Sequence, residues 1–249
     1  MNFLHRMLLI LSFSYFGLFQ IAQADEPVTA LSEDVRVTPM MPTVWRHITD
    51  EIMDGERIPA NGLIVQTGKG VVLVDTGWNN DQTVLLLNWI KQTLKQPVIA
   101  AVVSHSHNDR MGGIDTLLQQ NIPVYAHAKT ADIARTKGLS IPTRVFQDTV
   151  DVTPDIQLFY PGAGHAPDNI VVWLPKQGLL FGGCLIKAGN ATTYNPVSDS
   201  DINAWPVSMR RIKARYPKAK WVIPGHGEVG DGKLVDHSIA LGDNTAPQR

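Results

Sequence analysis

Apolar residues recur along the chain in short bursts. They are "GLIVQT" (62–67), "VVLVD" (71–75), "VIAAVVS" (98–104), "IQLFY" (156–160), "NIVVWLP" (169–175), "LLFGGC" (179–184) and "WVIPG" (221–225), most of them rich in β-branched side chains. Bursts of this length, bounded by glycine, proline and polar residues, predict strands. Between several of them the spacing lengthens to a helical period. In "DQTVLLLNWIKQTLK", Val84, Leu87, Ile90 and Leu94 fall on one face. In "DINAWPVSMRRIKARY", Ile202, Trp205, Met209, Ile212 and Tyr216 do the same. Pro206 falls in the first turns of that helix, where it is better tolerated than deep inside. Helices are also expected near 112–120, 129–137 and 231–241. "EIMDGERIPANG" (51–62) reads as a hairpin with its tip near Asp54-Gly55. The fold class is mixed α/β, with two sheets packed inside helices.

The start of the chain breaks this pattern. "MNFLHRMLLILSFSYFGLFQIAQA" has a basic start at Arg6, an apolar run from Met7 to Phe19, and a small-x-small ending at Ala22-Gln23-Ala24. It reads as a secretory signal peptide over 1–24, ahead of a single domain over 25–249. A retained membrane anchor is the alternative, for which the run is short. Cleavage predicts an exported protein, periplasmic in a Gram-negative host, with no membrane attachment afterwards. The chain's 249 residues, 44% apolar and 18% charged, suffice for one large core. Its formal net charge is −1, and loss of Arg6 leaves 21 basic against 23 acidic residues. That balance offers no footprint for nucleic acid or an anionic membrane. The single cysteine, Cys184, has no partner for an intrachain disulfide. In an oxidising compartment an unpaired thiol is a liability unless it is buried or ligated. At this point both remain open.

The residues just beyond the strands are more informative. "VIAAVVS" runs into His105, "IQLFY" reaches His165 through "PGAG", "LLFGG" runs into Cys184, and "WVIPG" runs into His226. Metal-capable residues thus stand at the carboxyl ends of four strands, the edge where ligand sites gather in α/β folds. In extended chain His105 and His107 point to one side and can reach one ion. The glycine pair 112–113 predicts a sharp turn into a helix that carries Asp109 alongside, able to hold a second ion. A polar loop with Asp109 as a helix cap is the plainer alternative for this stretch taken by itself. Imidazole, thiolate and carboxylate in one set favour zinc over magnesium or calcium.

The set "HSHNDR", "GHAPDNIVVWLP", "GGCLIK" and "PGHGE" resembles the metallo-β-lactamase superfamily, and within it the class B β-lactamases of subclass B1. The resemblance runs from "LIVQTGKGVVLVDTGW" to "PGHGE", almost the whole mature chain. It implies a four-layer αβ/βα sandwich with two mixed sheets between helices. Many hydrolases of the superfamily carry a ligating histidine directly after the aspartate. Here Arg110 stands there, so the resemblance hands that ligand role to Cys184. It implies two zinc ions, one on His105, His107 and His165, the other on Asp109, Cys184 and His226. A metal-activated hydroxide would then open the β-lactam amide of penicillins, cephalosporins and carbapenems, with Asp109 orienting it. Lys187 would pair with the substrate carboxylate, an exposed surface lysine being the alternative. Asn195 would assist at the carbonyl, in a segment about one residue shorter than the usual pattern. The hairpin would close over substrate through Met53 and Ile58, and Trp78 would form another wall. Asp75 would orient the loop beneath the histidines. Ala166 departs from the threonine or serine usual after the third histidine, weakening a supporting hydrogen bond without removing a ligand. His47, His127 and His237 are expected at the surface or in satisfied packing. The partner would be a small β-lactam antibiotic, and the protein a monomer conferring antibiotic resistance. Two other classes stay in view: a thioester or lactone hydrolase of the same fold, which a thioester assay separates, and a non-catalytic zinc carrier, which binds metal without turnover.

Overall fold

A computed structural model describes residues 27–245, and the expected leader over 1–24 lies outside them. The first sheet takes its strands in chain order: β1 (Thr29–Ala30), β2 (Val35–Met41), β3 (Val44–Met53), β4 (Glu56–Thr67), β5 (Gly70–Val74), β6 (Val98–Val102), β7 (Val124–His127) and β8 (Arg144–Phe146). Strands β1 to β5 are antiparallel, and β5 to β8 are parallel. Parallel neighbours need crossovers. These are α1 (Asn80–Trp89), which continues as a π-helical turn over Ile90–Leu94, then α2 (Asn108–Met111) with α3 (Ile114–Gln119), and α4 (Ala128–Lys137). The second sheet contains β9 (Thr149–Thr153), β10 (Ile156–Phe159), β11 (Val171–Leu174), β12 (Leu179–Gly183) and β13 (Trp221–Pro224). It runs in the order β13-β12-β11-β10-β9 and is antiparallel except at β12–β13, which α5 (Trp205–Arg215) connects. Helix α6 (Lys233–Thr245) comes last.

Strand alternation sorts the apolar side chains into layers. Leu63, Val65, Val72, Val74, Ala100 and Val102 of the first sheet meet Val172, Leu174, Leu179, Phe181 and Ile223 of the second. The intervening residues Ile64, Val71, Leu73 and Ala101 face the other way, onto Leu86, Ile90, Met111 and Leu117 of the crossover helices. Val171, Leu180 and Val222 face Trp205, Met209, Ile212 and Val235. Helix, sheet, sheet and helix therefore stack in four layers, as the apolar bursts and the resemblance imply.

Two helical faces differ from the periodicity. Val84 is 40% exposed, and Leu86 takes its place in the core beside Leu87 and Ile90. The apolar run 84–87 fits two registers. The one adopted also buries Thr83, whose hydroxyl accepts the Gly77 N–H at 3.1 Å, so a polar tie selects the face. Ile202 is 49% exposed because α5 begins only at Trp205. Before it, the Asp201 carboxylate accepts the N–H groups of Asn203 and Ala204 in a turn. The hairpin forms where expected: β3 and β4 join through Asp54 and Gly55, at φ of 52° and 84°. Among the described residues no helix is long and apolar enough to cross a membrane.

Candidate metal centre

Both sheets deliver residues to one edge. After β6 the chain passes Ser104 to His107 and enters α2, with Asp109 in its first turn. The glycine pair makes this possible by close approach. A Cβ on Gly112 would collide with the Trp78 carbonyl, and one on Gly113 with the Thr83 hydroxyl. From the second sheet, His165 lies in the loop between β10 and β11. Cys184 comes directly after Gly183, whose φ of 52° turns the chain at the end of β12, and His226 lies just beyond β13. The two strand ends are clasped directly. Asn61 N–H donates to the Gly225 carbonyl at 2.8 Å, and its side-chain amide donates to Pro224 and Gly227 at 2.9 and 2.8 Å.

His105, His107 and His165 form one group, each offering a nitrogen within 4.8 Å of the others. His107 Nδ1 and His165 Nε2 stand 3.2 Å apart. The Asp199 carboxylate lies 3.0 and 3.1 Å from His107 Nε2. A carboxylate there requires the proton on Nε2, which leaves the Nδ1 lone pair aimed into the cluster. Sequence reasoning missed Asp199. It belongs to "NPVSDSD", and nothing local marks it as a neighbour of His107. The next residue holds the backbone of the neighbouring ligand loop: Ser200 Oγ donates to the His165 carbonyl at 2.7 Å. Burial pushes His105 down to about 4. Burial, then His107, pushes His165 to about 3. Both rings are therefore neutral at ordinary pH, as ligands must be.

Asp109, Cys184 and His226 form the second group. Cys184 Sγ lies 3.3 Å from both Asp109 Oδ2 and His226 Nε2, and those two are 3.1 Å apart. The groups adjoin: Asp109 Oδ1 is 3.9 Å from His105 Nε2. Arg110, fully buried, braces the second group. Its Nη2 lies 3.0 Å from Cys184 Sγ, 2.9 Å from Asp109 Oδ2 and 2.9 Å from the Gly225 carbonyl. Its Nη1 donates to the Asn61 carbonyl at 2.6 Å and reaches Asp75 at 3.3 Å. Burial, the largest single influence, opposes a thiolate, yet Arg110, His226 and His105 together outweigh it and draw Cys184 down to about 5. Burial likewise opposes ionisation of Asp109, and Arg110 with His226 holds it well below the usual carboxylate range. Burial lowers His226, but the thiolate and Asp109 raise it to about 10. A metal bound there displaces that proton. Asp75 accepts the Ser104 N–H and hydroxyl at 2.7 and 2.9 Å, beneath the histidine turn.

The other expected residues are more dispersed. Lys187 and Asn195 line a cavity of about 500 Å³ with Cys184, His226, Asn190 and Thr193. Trp78 is not among that cavity's lining residues; its indole N–H donates to the Thr49 carbonyl at 3.1 Å, tying the hairpin root to the turn before α1. Met53 is half exposed on the hairpin, and Ile58 is partly buried. Ala166 is buried, and His165 Nδ1 has no hydrogen-bond partner. His47, His127 and His237 bond the carbonyls of Val74, Gln147 and Ala191 instead, the first two in buried positions.

The first group suits a metal ion. Three buried or half-buried imidazoles converge, His107 held at its outer nitrogen by Asp199, and His105 Nε2 is buried with no hydrogen-bond partner. The second group supplies a carboxylate and a thiolate, a donor set suited to a soft divalent ion. Comparison with known proteins agrees with this chemistry. Residues 55–226 match the metallo-beta-lactamase superfamily model. A metallo-beta-lactamase type 2 of Bacteroides fragilis is 37% identical over 225 residues, 89% of this chain and 90% of that protein. One of Bacillus cereus is 36% identical, covering 83% and 82%. The solved metallo-beta-lactamase from Pontibacter korlensis superposes with a TM-score of 0.81 at 40% identity, over 85% of this chain and all of that one. With the sandwich, the clustered donors and these relatives in agreement, the chain belongs to the metallo-β-lactamase superfamily.

Proposed function

We propose that the chain is a zinc-dependent β-lactamase of subclass B1, hydrolysing penicillins, cephalosporins and carbapenems. One observation carries the reading: a thiolate, a carboxylate and an imidazole within 3.3 Å of one another, braced by Arg110, beside a three-histidine cluster. His105, His107 and His165 would hold one zinc, and Asp109, Cys184 and His226 a second. Bound zinc supplies Lewis acidity and brings the pKa of water to roughly 7. The rest falls to the chain's own groups. Asp109 presents Oδ2 to its own group and Oδ1 toward His105, so it can orient a water between the clusters. Lys187 anchors the substrate carboxylate from the cavity wall. The Asn195 amide donates to the carbonyl oxygen, where charge develops. The β3–β4 hairpin lowers Met53 and Ile58 onto the substrate and excludes water. Trp78 fixes the hairpin's root. An exported monomer, freed by cleavage after Ala24 and soluble in the periplasm, completes the proposal. It is supported by the basic start, apolar run and Ala-Gln-Ala of the sequence.

The test is hydrolysis of nitrocefin and imipenem by purified protein, before and after chelation. Turnover that vanishes with chelator and returns with zinc is expected. Stoichiometric zinc with no turnover of either substrate would overturn the reading.

A further inference from the structure

Lys187 is an unusual lysine. It is largely withdrawn from solvent, and among the described residues no carboxylate pairs with it. Its backbone is pinned, since the Lys187 N–H donates to Ser238 Oγ at 2.9 Å. Its ammonium lies 5.7 Å from the centre of the Trp205 ring, within reach of the cation–π attraction.

Trp205 has little freedom to move. It is fully buried, and its indole N–H donates to the Leu185 carbonyl at 2.8 Å, one residue from Cys184. Tyr194 stacks on it at 4.2 Å and 4° and is itself held by its hydroxyl bond to the Ser238 carbonyl at 2.7 Å. The His165 ring meets it at 5.7 Å, edge to face. Ser238 therefore ties the backbone of Lys187 and the ring stacked on Trp205 to one point on α6. A flexible four-carbon side chain ending over a rigid ring has fewer places to go.

The geometry points to Trp205 as the positioning residue for the cavity's cation, holding the Lys187 ammonium where a substrate carboxylate arrives. This rests on the β-lactam reading above, in which Lys187 binds that carboxylate. Trp205 touches neither substrate nor metal in this role. It acts through Lys187, so its influence exists only for substrates that carry the negative charge.

The experiment compares a penicillin with its methyl ester on four proteins: unmutated chain, Trp205→Phe, Lys187→Ala and the double variant. Zinc content and thermal midpoint confirm that each is folded. Phenylalanine keeps a ring but a weaker one, so KM for the acid is expected to rise about 3- to 10-fold in Trp205→Phe, the loss falling on KM more than on kcat. KM for the ester should stay where it was. In the Lys187→Ala background the second substitution should add nothing, because the group it positions is gone. A Trp205→Phe penalty equal for acid and ester, or one that persists without Lys187, would overturn the proposal and return Trp205 to a packing role. No change in KM for the acid would overturn it too. Failure of the unmutated chain to open either lactam would instead remove the β-lactam reading, and this inference with it.

Discussion

Arg110 and Cys184 are a pair in space as well as in pattern. The guanidinium bonds the sulfur that is proposed to serve as a ligand in its stead. Sequence motifs make the six donor residues legible, because most of them stand at strand ends, several behind a glycine or proline turn. The motifs do not reveal what holds those donors. Asp199 is distant in sequence from His107, and only the fold brings them together. Substitutions at single residues test both points. Cys184→Ser replaces a thiolate with a neutral hydroxyl, so the second group should lose its ion while the three-histidine group keeps one. Zinc per chain should fall toward one by elemental analysis, and turnover by on the order of 100-fold or more. Asp199→Asn removes the charge that sets the His107 ring. Affinity of the first group for cobalt(II), monitored by absorbance titration, should fall about 10- to 100-fold, with the thiolate band of the second group unchanged. Equal losses at both groups would deny Asp199 its specific role.

At the scale of elements, period-two alternation and the Asp54-Gly55 turn are readable because backbone geometry imposes them directly. The face of α1 is not. Its apolar run fits two registers, and the deciding interaction is a hydroxyl bond between Thr83 and a glycine outside the helix. From sequence the glycine pair 112–113 predicts a sharp turn, whereas its φ values of −60° and −102° are ordinary. What it provides is room, under the Trp78 carbonyl and against Thr83. Gly112→Ala should therefore push α2 away from the Trp78 turn and cost about 1–3 kcal/mol by denaturant titration, as overpacking does. Because Asp109 rides on α2, the same variant should hold zinc more weakly in its second group. A variant as stable as the parent would show that the turn yields without strain.

At the scale of the molecule, the donors divide evenly. His105, His107 and Asp109 hang from the first sheet, and His165, Cys184 and His226 from the second. An ion in either group therefore links the two sheets and stabilises the folded state by mass action. Free zinc at a hundred times a site's Kd should add about 2.7 kcal/mol per site, measured as a rise in thermal midpoint over chelated protein. Far-UV circular dichroism should be alike with and without chelator. Coincident midpoints would mean that no ion binds across the sheets. The Asn61 clasp has a further consequence, for the order of assembly. Asn61 and Arg110 already close the sheet ends through Pro224, Gly225 and Gly227, using only hydrogen bonds of the chain itself. The polypeptide can thus finish folding first and acquire its ions last, as a completed receptacle. Stopped-flow uptake of zinc by chelated protein should then show one phase whose rate is proportional to free ion, and a slow phase independent of ion concentration would show that folding waits for the metal.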